Sequence, residues 1–407
     1  MDSSVIEKLL AGIEYESTRK DPPDGFPQLP DIPGGRYSDP EFQRLERVYL
    51  WKKAWLYAGH LDEFPEAGSY KLWRRNGSPI LMLRDQDDQV RAFYNVCRHR
   101  GGPLVTDDTG TVPGGLVCGF HGWTYDLSGK LINLRDKRDF VGLDMSCRNL
   151  VPVRCERLGN WIFVNEDPDA VPLAEYLGPV GEYFQGLPID DLRLVDHQTF
   201  TVNCNLKVLL DAFLEVYHLK SSHADTVDRF LDYRGSNMIL WHGGHSFMLT
   251  PNRRRDWVDP GTKGMPEMGG VTDIERYNNP SFNIYPNLVT PVAPSGLPFL
   301  LLWPETDQSM QLESIWFAPD WGDGQRPDRW DERISNFNRI LNEDLQLAER
   351  IQESVTSPGF RGMPLNYQER RIYHWHAELD RRIGVERVPE QLRVAPVLDD
   401  WRTDGWT

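Results

Sequence analysis

Two short loops in this chain each carry one soft and one borderline metal donor. Cys97-x-His99 and Cys118-x-x-His121 lie about twenty residues apart. Each pair follows a strand-like run, Ala92 to Val96 and then Leu116-Val117. Glycine and proline sit at the tips, as Gly101-Gly102-Pro103 and as Gly119 and Gly122. Such loops let the backbone curl round a metal centre and aim amides at sulfur. Two thiolates and two imidazoles suit either tetrahedral zinc or a [2Fe–2S] cluster with both Cys on one iron and both His on the other. The other cysteines, Cys147, Cys155 and Cys204, have no ligand-like spacing and are expected to be buried thiols.

A second donor set has the composition of an open ferrous site, which two His and one carboxylate hold on one face, leaving positions free. The stretch Asn205 to His218 reads as a helix in which Asp211, Glu215 and His218 fall at i, i+4 and i+7 and share one face. His223 would lie about 140° round a straight helix from His218. Both imidazoles reach one ion only if the backbone bends at Lys220-Ser221-Ser222, where serine side chains compete with the helical ladder. The carboxylate must come from elsewhere. A helix expected over 328–354 has Phe337, Leu341, Ala348 and Ile351 as its apolar stripe, and Asp344 falls on that stripe. A carboxylate facing a core is costly unless it is paired or binds a metal. Asp344 is therefore the expected third ligand, with an Arg-paired acid as the other reading and Asp211 as the next candidate.

These donors need a scaffold. Residues 20–40 are rich in Pro, Gly and Asp and read as an extended arm, and 41–58 as a helix running into a strand. From about 55 to 166, short apolar runs (Ile80 to Leu83, Arg91 to Tyr94, Trp161 to Val164) alternate with turn residues, which predicts a small antiparallel β domain. Beyond Asp167 the pattern is α+β, with helices expected at 172–186, 206–219 and 328–354 and strands at 198–203, 245–250, 299–303 and 310–317. Residues 251–280 look like a long loop covering something. The expected division is 1–45 arm and helix, 46–166 β domain and 167–407 catalytic domain. Of the remaining histidines, His60 and His197 read as surface or strand residues and His242 and His245 as possible pocket lining. His374 and His376 read as interface residues on a charged C-terminal helix.

The chain has 407 residues, 40% of them apolar, and a net charge of −16. That charge argues against nucleic acid, because phosphate binding needs a basic surface. No apolar run approaches the roughly 18 residues of a membrane span, and the N-terminus lacks the signature of a signal peptide. Five cysteines, an odd and sparse set, do not make a disulfide framework. A cytoplasmic enzyme is expected. No Gly-x-Gly-x-x-Gly follows a strand, so no dinucleotide-binding domain is expected.

The runs Asn95-Val96-Cys97-Arg98-His99-Arg100-Gly101 and Cys118-Gly119-Phe120-His121-Gly122-Trp123 resemble the Rieske motif. Gly102 and Phe120 stand where respiratory Rieske proteins carry an extra disulfide, so the resemblance is to the oxygenase branch. Glu215-x-x-His218-x-x-x-x-His223, with Asn205-Leu206-Lys207 before it and Glu343-Asp344 after it, resembles the mononuclear-iron segment of Rieske-type non-haem iron ring-hydroxylating oxygenase α subunits. The resemblance implies a Rieske β domain followed by a helix-grip (START/Bet v 1-like) catalytic domain. It implies a [2Fe–2S] cluster on Cys97, His99, Cys118 and His121, and Fe(II) on His218, His223 and Asp344, with Glu215 and Asp211 as candidate catalytic acids. In the family, the acid at the Glu215 position links the cluster histidine of one subunit to an iron-ligating histidine of its neighbour. Further implications are O₂ as cosubstrate and electrons from NAD(P)H through a separate flavin reductase and/or ferredoxin. A homotrimer, with or without a small β subunit, is also implied. Oxidation of a small aromatic compound is the commoner family reaction. Glu215 in place of the usual Asp is similar to members acting on quaternary amines, such as carnitine oxygenases, so demethylation of a small amine is the alternative.

Overall fold

The computed structural model describes residues 1–406. Among them, no helix is long and apolar enough to cross a membrane. The chain packs as two units, and the first fifty residues belong with the later one. Trp51–Tyr176 form one unit, and Met1–Leu50 join the residues from Leu177 onward in the other.

The unit Trp51–Tyr176 is built on a seven-stranded sheet whose central strands are Pro152–Leu158, Val90–Tyr94 and Ile80–Arg84, paired antiparallel. Ile80, Leu81, Met82 and Leu83 are all fully buried, so both faces of this strand are covered. That explains why it reads as a continuous apolar run rather than an alternation. A second, three-stranded sheet contains Leu116–Val117, Thr124–Tyr125 and Leu131–Asn133. Its Tyr125 and Leu131 join Leu81, Leu83 and Phe93 in one core, and Cys97 and Cys118 are part of that core.

The other unit is a helix grip. Its sheet has eight strands, beginning with Leu192–Val202, Met310–Pro319 and Leu297–Pro304, antiparallel except where Asn237–Trp241 meets Arg402–Thr403. The long helix Arg329–Val355 packs against Leu192–Val202 and against the helix Leu206–Phe213. Its buried positions are Trp330, Ile334, Leu341, Leu345, Ala348, Gln352 and Val355. Their three- and four-residue spacing is that of one helical face. Ile351, expected on this stripe, is 38% exposed, because Leu345 and Gln352 define the buried line instead. The expected helix over 172–186 is broken at Gly178-Pro179 into Leu173–Leu177 and Pro179–Gln185.

The arm expected over 20–40 ends in a short pairing of Ile32–Pro33 with Gly362–Met363 and the turn Gly34–Tyr37. Arg36, fully buried, donates to Asp380 Oδ1 at 2.6 Å, to the Leu392 carbonyl at 2.7 Å and to His376 Nδ1 at 3.1 Å. The charged C-terminal helix Arg370–Ile383 is therefore a core helix. Its charges pair inward, Asp380 with Arg36 and Arg370 with Glu16. His374 and His376, expected at an interface, are buried in this helix. His60, read as a surface or strand residue, is the buried end of the strand Leu56–His60, and its Nδ1 accepts from the Asp62 amide. Cys147, expected to be buried, is exposed on a 3₁₀ turn, and Cys155 is half-buried.

Candidate metal centres and cavity

The two cysteine–histidine loops have the same hydrogen-bonding scheme despite their different spacing. The Cys97 amide donates to the Gly102 carbonyl and the Gly101 amide returns to the Cys97 carbonyl. The Cys118 amide donates to the Trp123 carbonyl and the Gly122 amide returns to the Cys118 carbonyl. Each loop closes on a glycine in the left-handed region, Gly101 at φ 76° and Gly122 at φ 71°, where a side chain would be strained. The thiols are buried and the imidazoles half-buried at the tip. His99 Nδ1 and His121 Nδ1 stand 3.1 Å apart. Two nitrogens about 2.0–2.1 Å from one ion adopt such a separation. Trp123 stacks on His99 with centroids 5.0 Å apart, and Tyr125 Oη lies 3.4 Å from Cys97 Sγ while accepting from the Arg98 amide. These donors fit a cluster with sulfur inside and imidazole outside.

The second site is arranged differently from the sequence expectation. The helix Leu206–Phe213 stops before Glu215, so Asp211, Glu215 and His218 do not share a helical face. The cause is Glu215 itself. Its Oε2 accepts from the amides of Tyr217 and His218, capping a new turn and ending the old one. No bend falls at Lys220–Ser222 either. Leu219–Ser222 form one helical turn with His218 at its N-cap and His223 at its C-cap.

This turn brings His218, His223 and Asp344 together, with one donor atom of each within 4.8 Å of the others. His223 Nε2 is 2.9 Å and His218 Nε2 3.7 Å from Asp344 Oδ1. The opposite nitrogens are held by carboxylates. Glu215 Oε1 is 2.5 Å from His218 Nδ1, and Glu343 Oε2 is 2.5 Å from His223 Nδ1 and 2.9 Å from Thr226 Oγ1. Burial disfavours charge on His223, but Asp344 and Glu343 outweigh it and lift its pKa to about 9. On His218 burial is likewise outweighed, chiefly by Glu215, and its pKa is raised. Two imidazoles presenting Nε2, each oriented through Nδ1 by a carboxylate, and one further carboxylate fit an open divalent iron site. Glu343 had no assigned role in the sequence reading; its only signal was adjacency to Asp344.

Asp211 lies in a different cluster. Its Oδ2 accepts from Tyr37 Oη at 2.5 Å, and its Oδ1 is 3.3 Å from His376 Nε2. Arg36 Nε donates to His376 Nδ1, which leaves the proton on Nε2 to face Asp211. Burial depresses the His376 pKa against the pull of Asp211, so the ring stays neutral. His245 Nδ1 accepts from the Tyr285 amide, and His242 is half-exposed beside Asp404.

A cavity of about 900 Å³ opens beside the His223 segment. Its lining includes Thr226, whose hydroxyl meets Glu343 beside the triad, and the rings of Phe230, Trp257, Trp316 and Phe337; His218, His223 and Asp344 are not themselves part of the lining. Phe230 and Trp257 stack at 4.6 Å, and Trp316 meets Phe337 edge-on at 5.1 Å. The loop expected to cover something supplies one wall through Trp257 to Thr262.

Sequence comparison identifies the two domains. Residues 54–150 match the profile of the Rieske [2Fe-2S] domain, and residues 189–385 match that of the ring-hydroxylating alpha subunit catalytic domain. The chain belongs to the Rieske-type non-haem iron ring-hydroxylating oxygenases, and its cofactors are a [2Fe–2S] cluster and a mononuclear iron. Within that family it is 27% identical over 342 residues to the carnitine monooxygenase oxygenase subunit of Escherichia coli (strain K12), covering 81% of this chain and 86% of that one. It is 28% identical over 208 residues to the glycine betaine monooxygenase oxygenase subunit of Chromohalobacter salexigens, covering 50% of this chain and 45% of that one. The crystal structure of the quaternary ammonium Rieske monooxygenase CntA with L-carnitine has the same fold, with a TM-score of 0.71 at 22% identity over 89% of this chain and 99% of that one.

Proposed function

We propose that this chain is the terminal oxygenase of a multicomponent system whose substrate is a quaternary ammonium compound. Electrons from NAD(P)H arrive through a separate flavin reductase and/or ferredoxin. The cluster sits on Cys97, His99, Cys118 and His121, within 46–166, and the iron on His218, His223 and Asp344, within 167–407. When bound, the cluster supplies single electrons and the iron supplies the O₂ chemistry. The protein's own residues orient and enclose. Glu215 and Glu343 fix the two imidazoles through Nδ1, so both Nε2 atoms face Asp344. The observation that carries the reading is an aromatic-walled cavity whose wall includes Thr226, the residue that meets Glu343 behind the triad. Aromatic faces attract cations that lack hydrogen-bond donors.

The reaction is hydroxylation of a carbon bonded to the quaternary nitrogen. One O₂, two electrons and two protons insert one oxygen atom and release one water. The hydroxylated carbon then parts from nitrogen as a carbonyl compound, the C–N pair going to nitrogen and the hydroxyl proton to solvent, leaving a tertiary amine. The names of the two curated relatives favour this substrate class over the aromatic one. We further propose a cytoplasmic homotrimer, with or without a small β subunit. In it, Glu215 also reaches His121 of the neighbouring copy.

The test is O₂ uptake with a surrogate reductase across carnitine, glycine betaine, aromatic acids and aromatic hydrocarbons. Coupled release of a tertiary amine from a quaternary ammonium compound is expected. Turnover of the aromatic compounds alone overturns the substrate class. Light scattering checks the trimer.

A further inference from the structure

The cavity beside the triad has a second, chemically distinct end. Arg333 lines it from the long helix, eleven positions before Asp344 and thus about 16 Å away along the helix axis. Its side chain is only 10% exposed. It lies over the rings of Trp316 and Trp330, at 5.5 and 5.8 Å from their centroids. A guanidinium packed over two neighbouring indoles is restricted in how it turns its donors. Those donors are poorly used. Buried Nε has no hydrogen-bond partner. The one carboxylate near it, Asp259 Oδ2, stands 3.5 Å from Nη1 on the loop wall and is itself 49% exposed. Burial pulls the Arg333 pKa down against the attraction of Asp259. Two buried cations of this unit that do not line this cavity are better matched, Arg36 meeting Asp380 at 2.6 Å and Lys207 meeting Glu46 at 2.7 Å, whereas buried Arg371 also has unpartnered nitrogens. A carboxylate paired with Arg normally makes shorter, often bidentate contacts.

We propose that Arg333 is the specificity-determining residue for an anionic group on the substrate, and that Asp259 holds its place until the substrate's carboxylate displaces it. This rests on the cavity being the substrate's, and it deepens the reading above. The substrate is a zwitterion whose quaternary nitrogen lies at the triad end and whose carboxylate lies at the Arg333 end. The length of helix between the two ends makes it an elongated one, with the groups separated by on the order of 10 Å.

The experiment uses the loaded enzyme with a surrogate reductase. The substrates are a chain-length series of ω-trimethylammonio carboxylates, each matched with an alkyltrimethylammonium ion of equal length lacking the carboxylate. Binding is read separately under anaerobic conditions from tryptophan fluorescence, since Trp316 and Trp330 flank Arg333. The wild type should prefer the longer carboxylates over their matches by about tenfold or more in Kd and KM, the scale of a charge-assisted hydrogen bond. In Arg333→Gln the ratio within each pair should collapse to about one, with Arg333→Lys in between. Asp259→Asn, a change at a half-exposed loop residue, should lower KM for the carboxylates by removing the competitor. An unchanged ratio in Arg333→Gln, or an unchanged KM in Asp259→Asn, overturns the proposal. The two readings fail separately. Equal turnover of both members of each pair sinks the anion site and leaves the quaternary ammonium reading standing. Turnover of aromatic acids only, with a carboxylate preference lost in Arg333→Gln, does the reverse.

Discussion

Glu343 Oε2 stands 2.5 Å from His223 Nδ1, on the opposite edge of the ring from the nitrogen that faces Asp344. The two neighbouring acids thus grip one imidazole from both sides, and only one of them points into the triad. A ligand and its supporting acid are separable by mutation. Asp344→Ala should remove the mononuclear iron and turnover while leaving the cluster's EPR signal intact. Glu343→Gln should keep the site but weaken it by about 10- to 100-fold, the usual cost of losing a carboxylate behind a ligating His. Iron content after dialysis against a graded chelator measures both. Equal losses in the two variants would merge their roles.

Glu215 has both oxygens engaged within its own turn, Oε1 on His218 Nδ1 and Oε2 on two amides. Each carboxylate oxygen can accept twice, so a further acceptor position remains for an imidazole of a neighbouring copy. Glu215→Gln should retain both metals and substrate binding yet nearly abolish turnover, because glutamine accepts on one atom only. Stopped-flow oxidation of the reduced cluster, with substrate and O₂ present, is the measurement. A wild-type rate would reduce Glu215 to a turn cap.

Metal loading should depend on pH. Without metal, His223 has its pKa lifted from 6.5 to about 9 by the flanking acids. The folded state therefore holds this proton more tightly than the unfolded chain. The stability this brings is complete below about pH 6.5 and is lost as pH rises through about 9. A divalent ion must displace the same proton. Affinity for Co²⁺, titrated into chelator-treated protein, should rise at least tenfold per pH unit from about 6.5 and flatten above about 9. A flat profile would mean that His223 binds no proton where the ion binds.

Tyr37→Phe should lower stability by about 1–3 kcal/mol, the cost of leaving a buried carboxylate short of one donor. Asp211→Asn should cost more, about 2–4 kcal/mol, because its amide nitrogen must face Tyr37 Oη or His376 Nε2, both of which are donors here. Chemical unfolding of the unit containing both residues, followed by fluorescence, should rank the variants in that order. Indifference to both would show that water takes over the lost contacts.

The two metal-donor sets were legible in the sequence because their chemistry is local. Cys97 and His99, or His218 and His223, can meet only if one short loop brings them together. Asp344 was legible through a conflict, a charge on an apolar stripe. What stayed hidden depended on pairing across long separations. The C-terminal helix looked like a charged surface because the partners of its charges, Glu16 and Arg36, lie more than 300 residues earlier. The strands Asn237–Trp241 and Asn278–Ile284 were missed, the second starting inside the last residues of the expected loop 251–280. The end of the helix at Phe213 was also missed, because Glu215 ends it through its own side chain rather than through Gly or Pro.

The placement of Met1–Leu50 has a consequence for how the protein is made. Arg36 finds His376 and Leu392 at sequence separations of 340 and 356 residues. On a ribosome adding roughly 5–20 residues per second, that is a wait of tens of seconds. During that wait Trp51–Tyr176, a continuous segment, can emerge and close around its thiols. The amino-terminal segment meanwhile can meet Lys207, Asp211 and Tyr233–Gly235, but not its partners in Arg370–Ile383. A synthesis arrested before residue 370 would leave a nascent chain with a complete lodging for the cluster. Its Arg36 would lack His376, Asp380 and Leu392, and Asp211 would lack the His376 ring beside it.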